Sequence, residues 1–258
     1  MIGFMMMLNV KAKIQYGKTL LYEIISYLIR YPVEFAAAWI LLYNFNNLGG
    51  WDFYQILFLQ AVSFVVISVS CAFTWEPMMD MESFVVEGKL DQYLIAPINP
   101  FWYVIGMDFR ATNLFITLIC GSIAVYTAHL AGVMLSIKVL FYLFGLVGAI
   151  ILVAAFNVFI GASTFWFFQT NRVLCFMIDT VGEFLKYPFS IYSAGLRFGL
   201  TFLLPISLMN YYPAYYLFEK GDVGELHMVG ILLVGGLFFY LAYQLWFLGL
   251  KKYKSAGG

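Results

Sequence analysis

The sequence predicts an all-α integral membrane protein: a single transmembrane domain over residues 1–258, with six transmembrane helices and both termini in the cytoplasm. Three observations carry that prediction. Apolar residues make up 63% of the 258 and charged residues only 11%, whereas soluble domains hold about 45–50% and about 25%. Such a chain has too little polar surface to cover itself in water, and a bilayer core about 30 Å thick is the solvent that accepts it. The apolar residues also fall in six runs, roughly 20–45, 53–74, 101–126, 133–168, 188–208 and 229–250, each able to cross as a helix. Finally, the basic residues alternate in number between successive connections.

That alternation fixes the expected orientation. Lys11, Lys13 and Lys18 precede the first run, Lys89 lies in the second connection, Arg172 and Lys186 in the fourth, and Lys251, Lys252 and Lys254 close the chain. Six alternating helices put all of these on one side, which the positive-inside rule makes cytoplasmic. The other side receives Lys220 and Lys138. An odd number of crossings would export the C-terminal lysines.

Two connections are unusual. Residues 75–100 form a long, charged inner connection in which Glu76, Asp80, Glu82, Glu87, Lys89 and Asp91 interleave with Met78, Met79, Phe84, Leu90, Tyr93 and Leu94. This pattern suits an amphipathic segment between helices 2 and 3, lying on the membrane surface or against a cytoplasmic partner. Between helices 5 and 6, Pro205, Asn210, Tyr211, Tyr212 and Pro213 interrupt an apolar stretch that continues to Phe218. Proline frees backbone groups that lipid cannot satisfy, so 208–218 reads as a broken, re-entrant outer element.

Chemistry-bearing motifs are sparse. Gly17-Lys18-Thr19 resembles the end of a phosphate-binding loop, but Ala12 stands where that loop needs its first glycine. The chain is therefore expected to hold no nucleotide and no cofactor, and not to be an enzyme by itself. Cys71, Cys120 and Cys175 are widely separated, and His129 and His227 form no motif with them, so neither disulfides nor a metal site is expected. The net charge of zero gives no reason to expect nucleic acid.

Charges inside the runs are costly, about 2.5–3.5 kcal/mol each at the bilayer centre. Glu23, Arg30 and Glu34 lie in the first run, Asp108 and Arg110 in the third, and Arg197 in the fifth. Arg30 and Glu34 are four apart and can pair on one helix face. These charges are expected to form internal ion pairs or, alternatively, to line a polar path for cargo. Gly195 and Gly199 form a GxxxG pair, a weak packing signal.

Four stretches together resemble the small six-helix permeases of the ABC-2-type transporters, in particular the branch similar to viologen and drug exporter permeases. They are Gln15-Tyr16; Leu48-Gly49-Gly50-Trp51; the inner segment Glu87-Gly88-Lys89-Leu90-Asp91-Gln92-Tyr93-Leu94-Ile95-Ala96-Pro97-Ile98-Asn99-Pro100; and Tyr187-Pro188-Phe189-Ser190-Ile191-Tyr192, followed by Leu196-Arg197, Leu204-Pro205 and Tyr211-Tyr212-Pro213-Ala214.

The resemblance implies a multi-pass permease of the bacterial inner or plasma membrane. It implies pairing with an identical or sibling permease and with two copies of a cytoplasmic ATPase, which would bind the ATP and Mg. Glu82, Glu87, Gly88, Lys89, Leu90, Asp91 and Tyr93 would form the coupling element, with Leu90 and Tyr93 as exposed anchors. The implied cargo is amphipathic or hydrophobic, a drug, lipid or peptide moved outward. An ATP-independent transporter or channel, and a membrane-embedded lipid enzyme, are the competing readings.

Overall fold

In the computed structural model, residues 3, 6–7, 10–11, 17–44, 48–167 and 170–254 are described. Ala12, Lys13, Gln15, Tyr16, Phe45, Asn46 and Phe168, used in the sequence reading, lie outside them. Among the described residues the structure is all helical. The longer helices are α1 (Gly17–Asn44), α2 (Phe53–Val86), α4 (Pro100–Met107), α5 (Thr112–Leu130), α6 (Ile137–Ser163), α7 (Thr170–Leu185) and α10 (Glu225–Leu250). The short ones are α3 (Leu90–Leu94), α8 (Ala194–Phe198) and α9 (Tyr211–Leu217). Among the described residues four helices, α2, α5, α6 and α10, are long and apolar enough to cross a membrane.

The centre of the bundle is α2. Trp51, Ile56, Leu59, Val62 and Val66 belong to one apolar core at its first end, and Met78, Met81 and Phe84 to a second core at its far end. Buried on nearly every side, it has no polar stripe, which is the expected pattern for an interior membrane helix. Its N-terminus is closed by a box in which Gln55 Oε1 accepts from the Asp52 N–H at 3.2 Å. Neighbours attach to it by small polar contacts: the Ser68 and Thr117 hydroxyls meet at 2.8 Å, Ser70 Oγ donates to the Ile150 carbonyl at 2.7 Å, and Asn157 Nδ2 donates to Thr74 Oγ1 at 2.9 Å. Interhelical bonds of this kind replace the hydrophobic driving force that lipid removes.

Small residues bring α6 and α10 together. A methyl group placed on Gly148 would lie 2.6 Å from Leu232 Cα, and one on Gly235 would lie 2.4 Å from the Gly148 carbonyl oxygen. The two backbones therefore touch at a point where no larger residue fits.

Two expected spans have a different form. The run 101–126 is not one helix: α4 ends at Met107, α5 begins at Thr112, and the Arg110 N–H leaves the helix to donate to the Ala72 carbonyl of α2 at 2.8 Å. The run 188–208 is corrected more strongly, because it is broken into a 3-10 turn (Phe189–Ile191), α8, a π turn (Gly199–Leu203) and a second 3-10 turn (Ile206–Met209). The regular helix between α6 and α10 is α7, in residues expected to be an inner connection. Arg172, Asp179 and Glu183 interrupt its apolar character and lie on its exposed face, while Leu174, Val181, Gly182 and Leu185 are buried against the bundle.

The broken segment is held by Asn210. Its Nδ2 donates at 2.8 Å both to the Leu59 carbonyl in α2 and to the Leu185 carbonyl that ends α7. Pro213 falls in the first turn of α9, where its missing N–H costs nothing, and Pro205 separates the π turn from the second 3-10 turn. Asn210→Ala removes both bonds and leaves the Leu185 carbonyl, at the end of α7, without its donor. It is expected to destabilise the protein by about 1–3 kcal/mol, read as a lower thermal midpoint in detergent or nanodiscs.

Candidate coupling segment and polar cleft

The far end of α2 stops where the sequence requires it. Gly88 takes φ +71°, a conformation that a side chain would strain, and the chain folds back into α3, with the Asp91 N–H donating to the Gly88 carbonyl at 3.2 Å. Glu87 and Lys89 pair at 2.6 Å with both side chains half exposed. Glu82 and Asp91 are partly buried. Tyr93 is clamped between Phe84 and Tyr103, with ring centroids 5.1 and 5.3 Å away. Burial first, then the Asp108 and Asp80 carboxylates, push its phenol pKa up to about 12.

Leu90, expected to be an exposed anchor, is 0% exposed and packs into this protein's own second core. One turn of helix turns it inward and turns its neighbours outward. The apolar groups actually presented are Val86, Leu94 and Ile95, the last 83% exposed. After them, Asn99 closes the segment by accepting from the Phe101 N–H at 3.1 Å at the start of α4, with Pro100 in the first position. Tyr253, just past α10, lies beside Asp91. Burial, with that carboxylate next to it, raises its phenol pKa.

A second constellation lies between α1, α2, α5 and α7. Glu23, Tyr27, Arg30, Tyr31 and Glu34 recur at three- and four-residue steps, which places them on one face of α1. Asp179, Glu183 and Lys186 recur similarly along α7 and just past it. Of these, Tyr27, Arg30, Tyr31, Asp179, Glu183 and Lys186 line, with Arg110 and Asn113, a cavity of about 320 Å³.

Its charges form two ionic groups. In the first, Arg30 Nε meets Glu34 Oε1 at 3.2 Å, Lys186 Nζ contacts Glu34 Oε2, and Lys186 also meets Glu183 Oε1 at 2.6 Å. Lys186 is 7% exposed and lies 5.8 Å from the Phe64 ring centroid. In the second, Arg110 joins Glu76 of α2 at 2.9 Å and Glu23 of α1 at 3.5 Å. Tyr27 links α1 to α5 by donating to Asn113 Oδ1 at 3.3 Å. Glu23 and Glu34 of α1 thus both meet the bundle through ion pairs, with the Tyr31–Phe64 contact at 4.6 Å between them.

Of the expected intramembrane charges, the structure brings Arg30, Glu34 and Arg110 to this cleft. Asp108 caps the end of α4 at the break before α5. Arg197 does not join them and is exposed on α8. Lys186, counted in the sequence only as a basic residue of the fourth connection, is the principal cleft residue to which the sequence reading gave no site role. It lies about 24 Å along α7 from Thr170, and the 179/183/186 spacing was the available signal.

A protein-family model described as "ABC-2 family transporter protein" matches residues 28–257. No curated protein and no solved structure matches the chain. The family match covers α2 through α10 and most of α1, so both the segment after α2 and the charged cleft lie inside it. The chain belongs to the ABC-2 transporter family, as a multi-pass membrane permease.

Proposed function

We propose that this chain is the membrane-spanning subunit of an exporter driven by a separate ATPase. The observation that carries the reading is the projecting group Val86, Leu94 and Ile95, flanked by the Glu87–Lys89 pair, at the end of a 34-residue helix that runs through the centre of the bundle. Apolar groups held out by a rigid element, with charge at their rim, suit a cleft in a partner protein. That partner is a cytoplasmic ABC ATPase in two copies, binding ATP and Mg, and a second permease, identical or sibling, completes the assembly.

In this reading α1, α2, α4 with α5, α6, α7 and α10 make six crossings, and both termini lie on the side of the coupling segment. That side is the cytoplasm of a bacterial inner or plasma membrane. ATP-driven closure of the ATPase pair moves the 82–95 segment, α2 carries the movement inward, and the cleft beside α1 opens to the opposite side. The cargo is amphipathic or hydrophobic, a drug, lipid or peptide, carried outward.

Ile95→Asp tests the assignment. Ile95 contributes little to the fold, so thermal stability should be unchanged, while association with the ATPase should weaken by about 2 kcal/mol or more, roughly 30-fold. The measurement is ATPase stimulation and co-purification of the two subunits. Full stimulation by the variant, or Lys89 and Lys251 labelled from opposite sides of the membrane, would remove the reading.

A further inference from the structure

Behind the charged cleft lies a second cavity, and the two adjoin. The second, about 80 Å³, is wholly apolar and lies in the seam between α1 and α5, where Leu28, Pro32, Phe35, Ile119, Cys120 and Ile123 line it. Tyr27, Tyr31 and Ile116 line both cavities, so these three side chains alone form the boundary. On one side stand cations and carboxylates from α1, from α7 and the residue after it, and from the break before α5, and on the other there is no polar surface. Leu28 and Ile119 are also among the exposed apolar residues, so the seam meets the face these helices turn to lipid.

We propose that the paired cavities are one binding site for a single-chain amphipath with a zwitterionic head, reached sideways from the bilayer through the α1–α5 seam. This rests on the exporter reading only for what happens after binding.

The head fits the cleft because both signs are present there. Arg30, Arg110 and Lys186 offer donors to a phosphate, and the Asp179 and Glu183 carboxylates line the same cavity for a quaternary amine, Glu183 while paired with Lys186. Arg30 is the cation most available, its side chain 64% exposed. The tail fits the seam because the seam is narrow and dry: one chain can follow it outward into lipid, whereas two chains diverging from one head cannot. Tyr27 and Tyr31 occupy the boundary between polar and apolar surroundings, where amphipathic rings are favoured. Pro32 sits beside them inside α1 and leaves the Leu28 carbonyl without its helical donor, a point at which that helix can flex to widen the seam.

The test uses the full-length protein in nanodiscs without any ATPase. The probe is lysophosphatidylcholine carrying a diazirine in its acyl chain, with cross-links mapped by mass spectrometry. Labelling should concentrate on Tyr31, Ile119 and Cys120 and be displaced by unlabelled lysophosphatidylcholine. Ile119→Trp, which fills the seam, and Arg30→Gln, which removes the phosphate donor, should each reduce it about tenfold. Leu118→Trp, on the strongly exposed face of the same helix, should leave it unchanged. Arg30→Gln keeps the test decisive if Ile119→Trp fails to fold.

Labelling that is equal at Leu118 and Val125, or that is unmoved by both seam and cleft variants, would overturn the site. The exporter reading fails separately, if Ile95→Asp keeps full ATPase stimulation.

Discussion

Gly148→Leu should abolish the folded protein. The added side chain begins 2.6 Å from the Leu232 backbone, and no rotamer of a neighbour can relieve a contact made with main-chain atoms. The only relief is to separate α6 from α10, which dismantles the tightest helix pair in the bundle. The cost should exceed the about 1–3 kcal/mol typical of core overpacking. Yield of monodisperse protein and thermal midpoint are the measurements. Gly236→Leu and Gly230→Leu are the matched controls, since an added carbon at either position meets nothing within 4 Å and should be tolerated. Equal damage from all three would show that helix propensity or insertion, and not close approach, sets the effect.

Lys186→Met is the second large loss. It removes the cation that Glu34 and Glu183 share, and the Glu34 side chain is only 19% exposed. Removing one partner of a buried pair leaves an uncompensated charge and costs about 3–5 kcal/mol. Arg30 keeps its Nε bond to Glu34 Oε1, and its fork offsets part of the stranded charge, which puts the loss toward the lower end of that range. The double variant Lys186→Met with Glu34→Gln should recover much of the stability, because it removes the stranded charge as well. Failure of the second change to restore the thermal midpoint would show that Lys186 acts by packing on Phe64 alone.

How much of this was legible in the sequence varies with the kind of residue. Spans with uniform apolar character, such as α6 and α10, were plain because lipid-facing helices have nothing to hide. The Arg30–Glu34 pair was readable because helical spacing alone places those residues together. By contrast α7 has no unbroken apolar run to announce it, because Arg172, Asp179 and Glu183 interrupt it. The more apolar 188–208 predicts one long helix, whereas the structure breaks it into short 3-10, α and π pieces with Pro205 at the last break.

Leu90 shows a different limit. The amphipathic character of the segment after α2 was visible, but which apolar residue faces inward depends on how Gly88 redirects the chain, and that direction is set by tertiary packing. Likewise nothing in the spacing of Glu23, Glu76 and Arg110 announces that they converge, because the break at 108–111 that makes room for Arg110 is held by a bond to Ala72.

The unbroken length of α2 has a mechanical consequence. Its 34 residues make a rod of about 51 Å, against a hydrocarbon layer of about 30 Å. Some twenty ångströms of that rod must stand clear of the oil, depending on tilt, and the only proline along it, Pro77, lies in this outer third. A push on Ile95 is therefore delivered beyond the far end of α2, where Met78, Met81 and Phe84 pack with α4, α6 and α10 and pass it to those helices. Any engine that docks there has to ride well off the lipid surface, and stiffening or loosening position 77 would change how much of its stroke reaches the interior.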